Sequence, residues 1–223
     1  MGNRSDIMRN AGMPMRSYAV ALFLGLGACG TQQSDQKAPD LPSQMIASCA
    51  LCHGADGSGN EARSAPRLAG QDAAYLERQL TAFAVGSRGT APGDAFGPQM
   101  AVIAKSLDPA ARKEAASYYA SLPKGSGAHG GKSATVPRPE AFETCATCHG
   151  ASGEGNAALG APRLAGQPAW YLERSLQLYR GGGRGADKDD SSGQQMAVAA
   201  KPLSDADIAN VAAYAASLNG EAK

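Results

Sequence analysis

The hexapeptide Cys-Ala-Leu-Cys-His-Gly at residues 49–54 recurs as Cys-Ala-Thr-Cys-His-Gly at residues 145–150 of this 223-residue chain. Both copies contain Cys-x-x-Cys-His, the attachment signature of c-type haem. Cysteines three positions apart lie on one side of a helical turn. Their thiols can bond there to the two vinyl groups of one porphyrin, while the adjacent histidine reaches the iron. Two copies of the motif therefore predict two covalently bound haem c groups.

An isolated Cys-x-x-Cys-His motif could also be a redox-active dithiol or half of a zinc site. A zinc ribbon would place its second cysteine pair about 15 to 20 residues further along the chain, whereas here the second pair follows a whole domain later. A thioredoxin-like dithiol would lie in a βαβ pattern with strands rich in Val, Ile and aromatic residues, and the chain has no such pattern. Haem attachment is the interpretation that fits both copies.

The duplication continues beyond the two motifs, since residues 49–122 align with residues 145–218 without a gap. Each motif is followed by Pro-Arg-Leu-Ala-Gly-Gln, then by Tyr-Leu-Glu-Arg, a glycine-rich segment with Arg-Gly, and Met-Ala-Val. The chain is therefore a tandem repeat of one domain.

We place the first domain at residues 41–122 and the second at residues 137–223, joined by an exposed linker at residues 123–136 that is rich in glycine, serine and lysine. The composition is globular, with 43% hydrophobic and 18% charged residues. Each copy is nevertheless small for a domain that builds a core of its own. Covalent haem would add a large apolar surface, so we expect the apoprotein to be poorly folded.

Helix signals occur in both copies, and no segment has the pattern of a strand. Ser204 and Asp207 form a capping box before apolar residues at helical spacing, and Asp108 with Pro109 begins the equivalent helix of the first copy. The predicted fold class is all-α.

Two further helices are expected in each copy. A middle helix follows Asp72 in the first copy and residues 167–168 in the second. Each Cys-x-x-Cys-His closes a first helix, with Ile46 and Phe142 at matching inner positions. Each haem would thus be surrounded by short helices.

The ligand on the far side of each iron separates an electron carrier from an enzyme. His129, the one histidine outside the motifs, lies in the linker and is most simply a solvated loop residue. Met45 precedes His53 on the same predicted helix and fits a packing role. Met100 and Met196 occupy the same repeat position, after a glycine-rich stretch, and we expect both to lie in loops and to ligate iron. A thioether ligand raises the reduction potential.

Two other sets of groups are candidates to support the haems. The carbonyls of Pro66 and Pro162 could accept the Nδ1–H of the two motif histidines, the bond that fixes tautomer and ring orientation. Four arginines at repeated positions could pair with haem propionates or could equally be solvated surface residues: Arg67, Arg88, Arg163 and Arg184.

Together these segments resemble the dihaem cytochrome c4 family of class I cytochromes c, over about residues 41–219. The resemblance rests on the Cys-x-x-Cys-His-Gly motif, the Pro-x-Leu-Ala-Gly-Gln segment, the methionine and the terminal Leu-Ser-Asp-x-Asp-Ile helix. It implies two class I cytochrome c domains with haems that face each other. The ligands carried over are Cys49, Cys52, His53 and Met100, then Cys145, Cys148, His149 and Met196, of which His53, Met100, His149 and Met196 would be the axial ligands of iron.

The same resemblance implies an electron carrier and not an enzyme. Its redox partners would be a quinol-oxidising complex or a dehydrogenase as donor, and a terminal oxidase or reductase as acceptor. Two alternatives remain open: an electron-transfer subunit of a dehydrogenase or reductase complex, and a catalytic dihaem protein such as a peroxidase or a thiosulfate-oxidising cytochrome.

The start of the chain has the form of an export signal. Three arginines precede an apolar run at residues 18–28, which is too short to span a membrane. Leu26-Gly-Ala-Cys29 resembles a bacterial lipoprotein box, and Cys29 is the cysteine left over after the two haem pairs. We therefore expect a signal peptide at residues 1–28 and a lipidated Cys29 with a flexible tether at residues 29–40. An ordinary cleavage site or a stray thiol is the alternative.

The net charge and the export signal indicate where the protein is located and which classes of partner it has. The formal net charge is +1, and nothing in the sequence suggests binding to nucleic acid. Export matches cysteines that must be joined to haem in an oxidising compartment. The sequence predicts a periplasmic protein, anchored by lipid to a bacterial membrane.

Overall fold

The computed structural model describes residues 43–124 and 136–220. The predicted signal peptide, Cys29 with its tether, and the linker residues 125–135 with His129 lie outside the described residues.

Both described segments are helical, in the same order. The first copy contains α1 (Gln44–His53), a 3₁₀ turn (Glu61–Arg63), α2 (Ala73–Val85), α3 (Gly97–Lys105) and α4 (Pro109–Ser121). The second contains α5 (Phe142–His149), a 3₁₀ turn (Ala157–Leu159), α6 (Ala169–Arg180), α7 (Ser191–Ala200) and α8 (Asp205–Ser217).

The all-α prediction is confirmed. Within residues 43–124 and 136–220 there is no strand, and β pairing is confined to the isolated bridges Asn60–Ala65 and Asn156–Ala161. None of the helices in this described part is long and apolar enough to cross a membrane.

The predicted helix starts are also confirmed. The Ser204 hydroxyl accepts a hydrogen bond from the Asp207 N–H, and the Asp207 carboxylate accepts one from the Ser204 N–H, which completes the capping box of α8. Asp108 caps α4 through the N–H of Ala111, with Pro109 in the first turn. Asp72 caps α2. These side chains satisfy N–H groups that have no partner inside their helices.

The prediction that Met100 and Met196 lie in loops is wrong, because they lie on α3 and α7. Both helices are short and contain a glycine in the first turns, so their sequences show no clear helical period. The carboxylates of Asp94 and Asp190 accept the N–H groups of those glycines, Gly97 and Gly193, at 2.9 and 2.8 Å. A helix holds each methionine more rigidly than a loop would.

Each copy has its own core where its first and last helices meet. Ile46 on α1 packs with Leu76 and Tyr119. Its repeat partner Phe142 on α5 packs with Leu172 and Val211. Ile46 and Phe142 are both fully buried, as their matching positions predicted.

The two copies contact each other through reciprocal hydrogen bonds. The Gln167 Oε1 accepts the Arg67 N–H at 2.9 Å, and the Gln167 Nε2 donates to the Arg67 carbonyl at 3.1 Å. The Gln71 Oε1 accepts the Arg163 N–H at 2.9 Å, and the Gln71 Nε2 donates to the Arg163 carbonyl at 2.9 Å. All four residues are buried. Each glutamine thus pairs with the backbone of one arginine in the other copy.

Replacement of Phe142 by alanine should destabilise the second domain by about 3 to 5 kcal/mol, because a buried ring is lost and the cavity closes only in part. The loss includes the edge-to-face contact with Tyr214, whose ring centroid lies 4.8 Å away. The free energy of unfolding of the haem-loaded protein, measured by circular dichroism in guanidinium, checks this. Val85→Ala is the control, since Val85 is 70% exposed and its truncation should cost no more than about 0.5 kcal/mol. Equal stabilities of the two variants would contradict the assigned core.

Candidate functional site

The two motif histidines end α1 and α5 and are buried, with 6% of His53 and 4% of His149 exposed. The His53 Nδ1 lies 2.9 Å from the Pro66 carbonyl oxygen, and the His149 Nδ1 lies 2.8 Å from that of Pro162. A carbonyl can only accept, so Nδ1 carries the proton in both rings and Nε2 keeps its lone pair. Each ring is thus held in the tautomer that binds a metal through Nε2, as predicted.

Burial also favours the neutral form of both histidines. Burial lowers the pKa of His53 and of His149, and this outweighs the hydrogen bond to the proline carbonyl, which raises it. The neutral ring is the form that ligates iron.

The four cysteines of the motifs lie on the last turns of the same helices, and none of them forms a disulfide. Cys148 is exposed, whereas Cys49, Cys52 and Cys145 are partly buried. Burial raises the pKa of the Cys49 and Cys145 thiols. In each copy, both thiols therefore lie beside the buried histidine.

A cavity of about 260 Å³ lies in the second copy, and its wall contains all four predicted site residues of that copy: Cys145, Cys148, His149 and Met196. The wall is mainly apolar, and α6, α8 and the segment after Pro162 contribute Leu164, Leu172, Leu176, Val211 and Ala215 to it. The first copy also contributes to this wall, through Gln71, Tyr75, Arg78 and Gln79. An apolar space with two thiols, an imidazole and a thioether on its wall fits a covalently bound haem.

The first copy holds the equivalent residues in two adjoining clusters. Cys49 packs with Ile46 and Leu76, whereas Met100 packs with Phe83 on α2. Leu80 contacts both clusters.

Among the wall positions at which the two copies differ, one places a much larger side chain in the first copy, and the sequence analysis missed it. Ala215 lines the cavity of the second copy, and its repeat partner is Tyr119. Tyr119 is 2% exposed, and its hydroxyl has no hydrogen-bond partner among the described residues. Burial raises the pKa of Tyr119 above its ordinary value, and the nearby Cys49 thiol raises it further by a smaller amount. A neutral phenol thus stands near Cys49 where the second copy has a methyl group.

Arg88 and Arg184 are buried, with 9% and 4% exposed, so the interpretation of them as solvated surface residues is wrong. Both donate to the same Gln79 Oε1, at 2.7 and 3.0 Å, and Arg88 also donates to the Tyr171 hydroxyl at 3.0 Å. Arg67 and Arg163 are buried as well. The Arg88 and Arg184 guanidiniums therefore meet across the contact between the copies, with Gln79 between them.

The positive charge of this cluster lowers the pKa of Tyr171. Burial raises the pKa of Tyr171, but the Arg88 and Arg184 guanidiniums lower it by more, so the pKa lies below its ordinary value. Within the described part of the chain, the two guanidiniums donate to the Gln79 amide and the Tyr171 hydroxyl. Buried guanidiniums paired with an amide and a phenol can also bind a carboxylate ligand. The haem propionates are carboxylates of this kind, so the cluster fits the group that the motifs predict.

Comparison with known proteins agrees with this geometry. The cytochrome c family matches residues 43–123 and residues 139–219. The chain is 32% identical to cytochrome c4 of Stutzerimonas stutzeri over 212 residues, which cover 90% of this chain and 98% of that protein. It is 36% identical over 183 residues to a protein of Stutzerimonas stutzeri strain A1501 named thiosulfate dehydrogenase electron acceptor, covering 76% of this chain and 78% of that one.

The fold is also similar to that of a cytochrome c4. The solved structure of Acidithiobacillus ferrooxidans cytochrome c4 superimposes with a TM-score of 0.62 at 30% identity, covering 77% of this chain and 99% of that one. The chain belongs to the cytochrome c family: it is a dihaem electron-transfer protein of the cytochrome c4 type, with two tandem domains and two covalently attached haem c groups.

Proposed function

We propose that this protein is a membrane-anchored carrier on the periplasmic side, and that each of its domains holds one haem through two thioether bonds, a histidine and a methionine. The residues would be Cys49, Cys52, His53 and Met100 in the first domain, and Cys145, Cys148, His149 and Met196 in the second. The observation that supports this most strongly is the pair of buried histidines with Nδ1 bonded to a proline carbonyl at the same repeat position.

When bound, each haem supplies an iron that gains and loses one electron. The chain's own residues set the conditions for that exchange. His53 and His149 present Nε2 in a fixed direction, because each Nδ1–H is held by a backbone carbonyl. Met100 and Met196, fixed on α3 and α7, supply a soft neutral donor that favours ferrous iron. The apolar wall of the second site limits access of water.

Arg88 and Arg184 would hold propionates where the two domains meet. Their shared acceptor Gln79 belongs to the first domain, and Arg184 belongs to the second. A propionate bound at this cluster would then be held by cations from both domains.

A carrier requires the sixth position of both irons to be filled, whereas a peroxidase or reductase needs one open position. A methionine at the same position of both repeats supports the carrier. The donor we propose is a quinol-oxidising complex or a dehydrogenase, and the acceptor a terminal oxidase or reductase. The relative named as an electron acceptor of thiosulfate dehydrogenase favours a dehydrogenase as donor.

That relative also supports a second candidate function, as the electron-accepting subunit of a dehydrogenase complex. If a catalytic subunit remains bound to this protein through purification, the protein is the electron-accepting subunit of a complex. If none remains bound, the protein is a mobile carrier.

Membrane anchoring would come from lipid on Cys29. Its support is the Leu-Gly-Ala-Cys sequence at residues 26–29 and the polar stretch after it, which contains Pro39 and Pro42 and can act as a tether.

Visible spectra recorded through a redox titration, with and without carbon monoxide, test the carrier. Both haems should titrate at positive potential with spectra of His/Met type, because thioether ligation favours the reduced state. The ferrous protein should not bind carbon monoxide unless it is denatured. Binding of carbon monoxide by one haem of the native protein would show an open sixth position and remove the main argument against an enzyme.

Met196→His should lower the potential of the second haem alone, because an imidazole stabilises ferric iron more than a thioether does. Potentials of both haems are measured in the same titration. Met45→Leu is the matched control: Met45 packs against the α1 core, so its replacement should move neither potential. An unchanged second potential in Met196→His would remove Met196 from the ligands.

Cys29→Ser should release the protein from membranes with both haems intact, because a serine cannot carry the thioether-linked lipid. Haem absorbance in the soluble and membrane fractions measures this. Retention in the membrane fraction would indicate an uncleaved signal or a protein partner instead of lipid.

A further inference from the structure

One peptide group in each domain connects the haem-binding histidine to the other domain. The Pro66 carbonyl accepts the His53 Nδ1–H at 2.9 Å. The N–H of the same peptide group belongs to Arg67 and donates to the Gln167 Oε1 at 2.9 Å. His53 of the first domain is therefore linked to Gln167 of the second through two hydrogen bonds and a single planar amide.

The second domain repeats this arrangement in the opposite direction. The Pro162 carbonyl accepts the His149 Nδ1–H at 2.8 Å, and the N–H of that peptide group, from Arg163, donates to the Gln71 Oε1 at 2.9 Å. The same four groups thus occur twice, each time with the glutamine supplied by the other domain.

Burial makes these links strong. Gln71 and Gln167 are 6% and 8% exposed, and the gap between the two glutamines and the two arginine backbones has a volume of about 10 Å³. A space of that size is at the lower limit for one water molecule. The amides therefore pair directly with the peptide groups, in surroundings of low dielectric where hydrogen bonds in a chain polarise one another.

The direction of this polarisation follows from the chemistry of the amide. When the Arg67 N–H donates to Gln167, electron density on the Pro66 carbonyl oxygen increases, and that oxygen becomes a better acceptor for the His53 Nδ1–H. A stronger acceptor at Nδ1 makes the imidazole more basic at Nε2. A more basic ligand stabilises ferric over ferrous iron, so the potential of the haem falls.

We propose that Gln167 tunes the potential of the first haem and Gln71 that of the second, each acting across the domain contact through the peptide group that holds the histidine. Both glutamines are positioning residues, because each acts on a histidine through a peptide group. Both also lie in the wall of the cavity of the second domain. The inference rests on the proposed ligation by His53 and His149. It makes correct docking of the domains a determinant of both potentials.

The two links are unequal. The Gln71 Oε1 also accepts the N–H of Asp72 at 3.0 Å, whereas the residue after Gln167 is Pro168, which has no N–H. The oxygen of Gln71 is therefore shared between the N–H groups of Arg163 and Asp72, whereas that of Gln167 accepts the N–H of Arg67 and has no following N–H to accept. The first haem should depend on its glutamine more than the second does.

The test measures the potential of each haem in the intact protein, by following the resonances of each haem in NMR spectra through a redox titration. Gln167→Leu should raise the potential of the first haem by more than that of the second, whose cavity wall Gln167 also lines. Gln71→Leu should raise the potential of the second haem, by a smaller shift than Gln167→Leu gives the first, and leave the first unchanged. Gln167→Glu keeps an oxygen acceptor for the Arg67 N–H and should not raise either potential.

Phe96→Ala is the matched control. It removes another contact between the domains, the stacking of Arg174 at 4.9 Å from the Phe96 ring centroid, and leaves the peptide groups at Pro66 and Pro162 unchanged. It should move neither potential. The ferric absorption band of methionine-bound haem reports ligation in every variant, so loss of the proposed ligands would be recognised separately.

The test is decided by whether each glutamine variant mainly shifts the potential of the haem in the other domain. Equal shifts of both haems in each glutamine variant would mean that the glutamines only hold the domains together, and would overturn the proposal. So would a larger shift of the haem in the same domain as the altered glutamine than of the haem in the other domain, or unchanged potentials in variants whose circular dichroism matches that of the parent protein.

Discussion

The hydrogen bond from each motif histidine to a proline carbonyl is the interaction on which the rest of the structure depends. It fixes the tautomer of His53 and His149, and so determines which nitrogen is free to bind iron in the ligation we propose. It also ties the end of the first helix of each domain to the segment that follows the 3₁₀ turn, because Pro66 and Pro162 lie there. That same segment continues into the arginines and glutamines of the domain contact. One bond thus joins helix, haem ligand and interface.

Duplication preserved this scaffold and changed what surrounds it. The histidines, the prolines and the glutamine pairs are equivalent in both domains, and their distances agree to within about 0.1 Å for the histidine bonds. The packing residues differ: Ile46 corresponds to Phe142, and Tyr119 to Ala215. Groups that hold the iron ligands cannot vary without loss of the cofactor, whereas volumes in the core can be exchanged between neighbours. The differences between the haems should therefore arise from the walls and the interface, not from the ligands.

The sequence predicted the parts of the fold that local chemistry determines. Caps such as Ser204 and Asp207, and motifs such as Cys-x-x-Cys-His, act over a few residues, and the structure has the helices that they indicate. The helices that carry Met100 and Met196 were missed, because the carboxylates of Asp94 and Asp190 stabilise glycine-containing turns that have low intrinsic propensity. The roles of Gln71 and Gln167 could not be predicted either, since each depends on a partner in the other domain. Their repetition in Leu-Ala-Gly-Gln was the available signal.

The buried arginines link haem binding to docking of the domains. Arg88 and Arg184 come from different domains and share the oxygen of Gln79, so their charges are brought together only when the domains meet. Two guanidiniums in a buried contact repel each other unless an anion lies between them. The low pKa of Tyr171 has the same origin, because the two guanidiniums favour a negative charge on its oxygen. Haem propionates would neutralise both cations, so the bound cofactors should stabilise the very contact through which Gln71 and Gln167 reach the histidines.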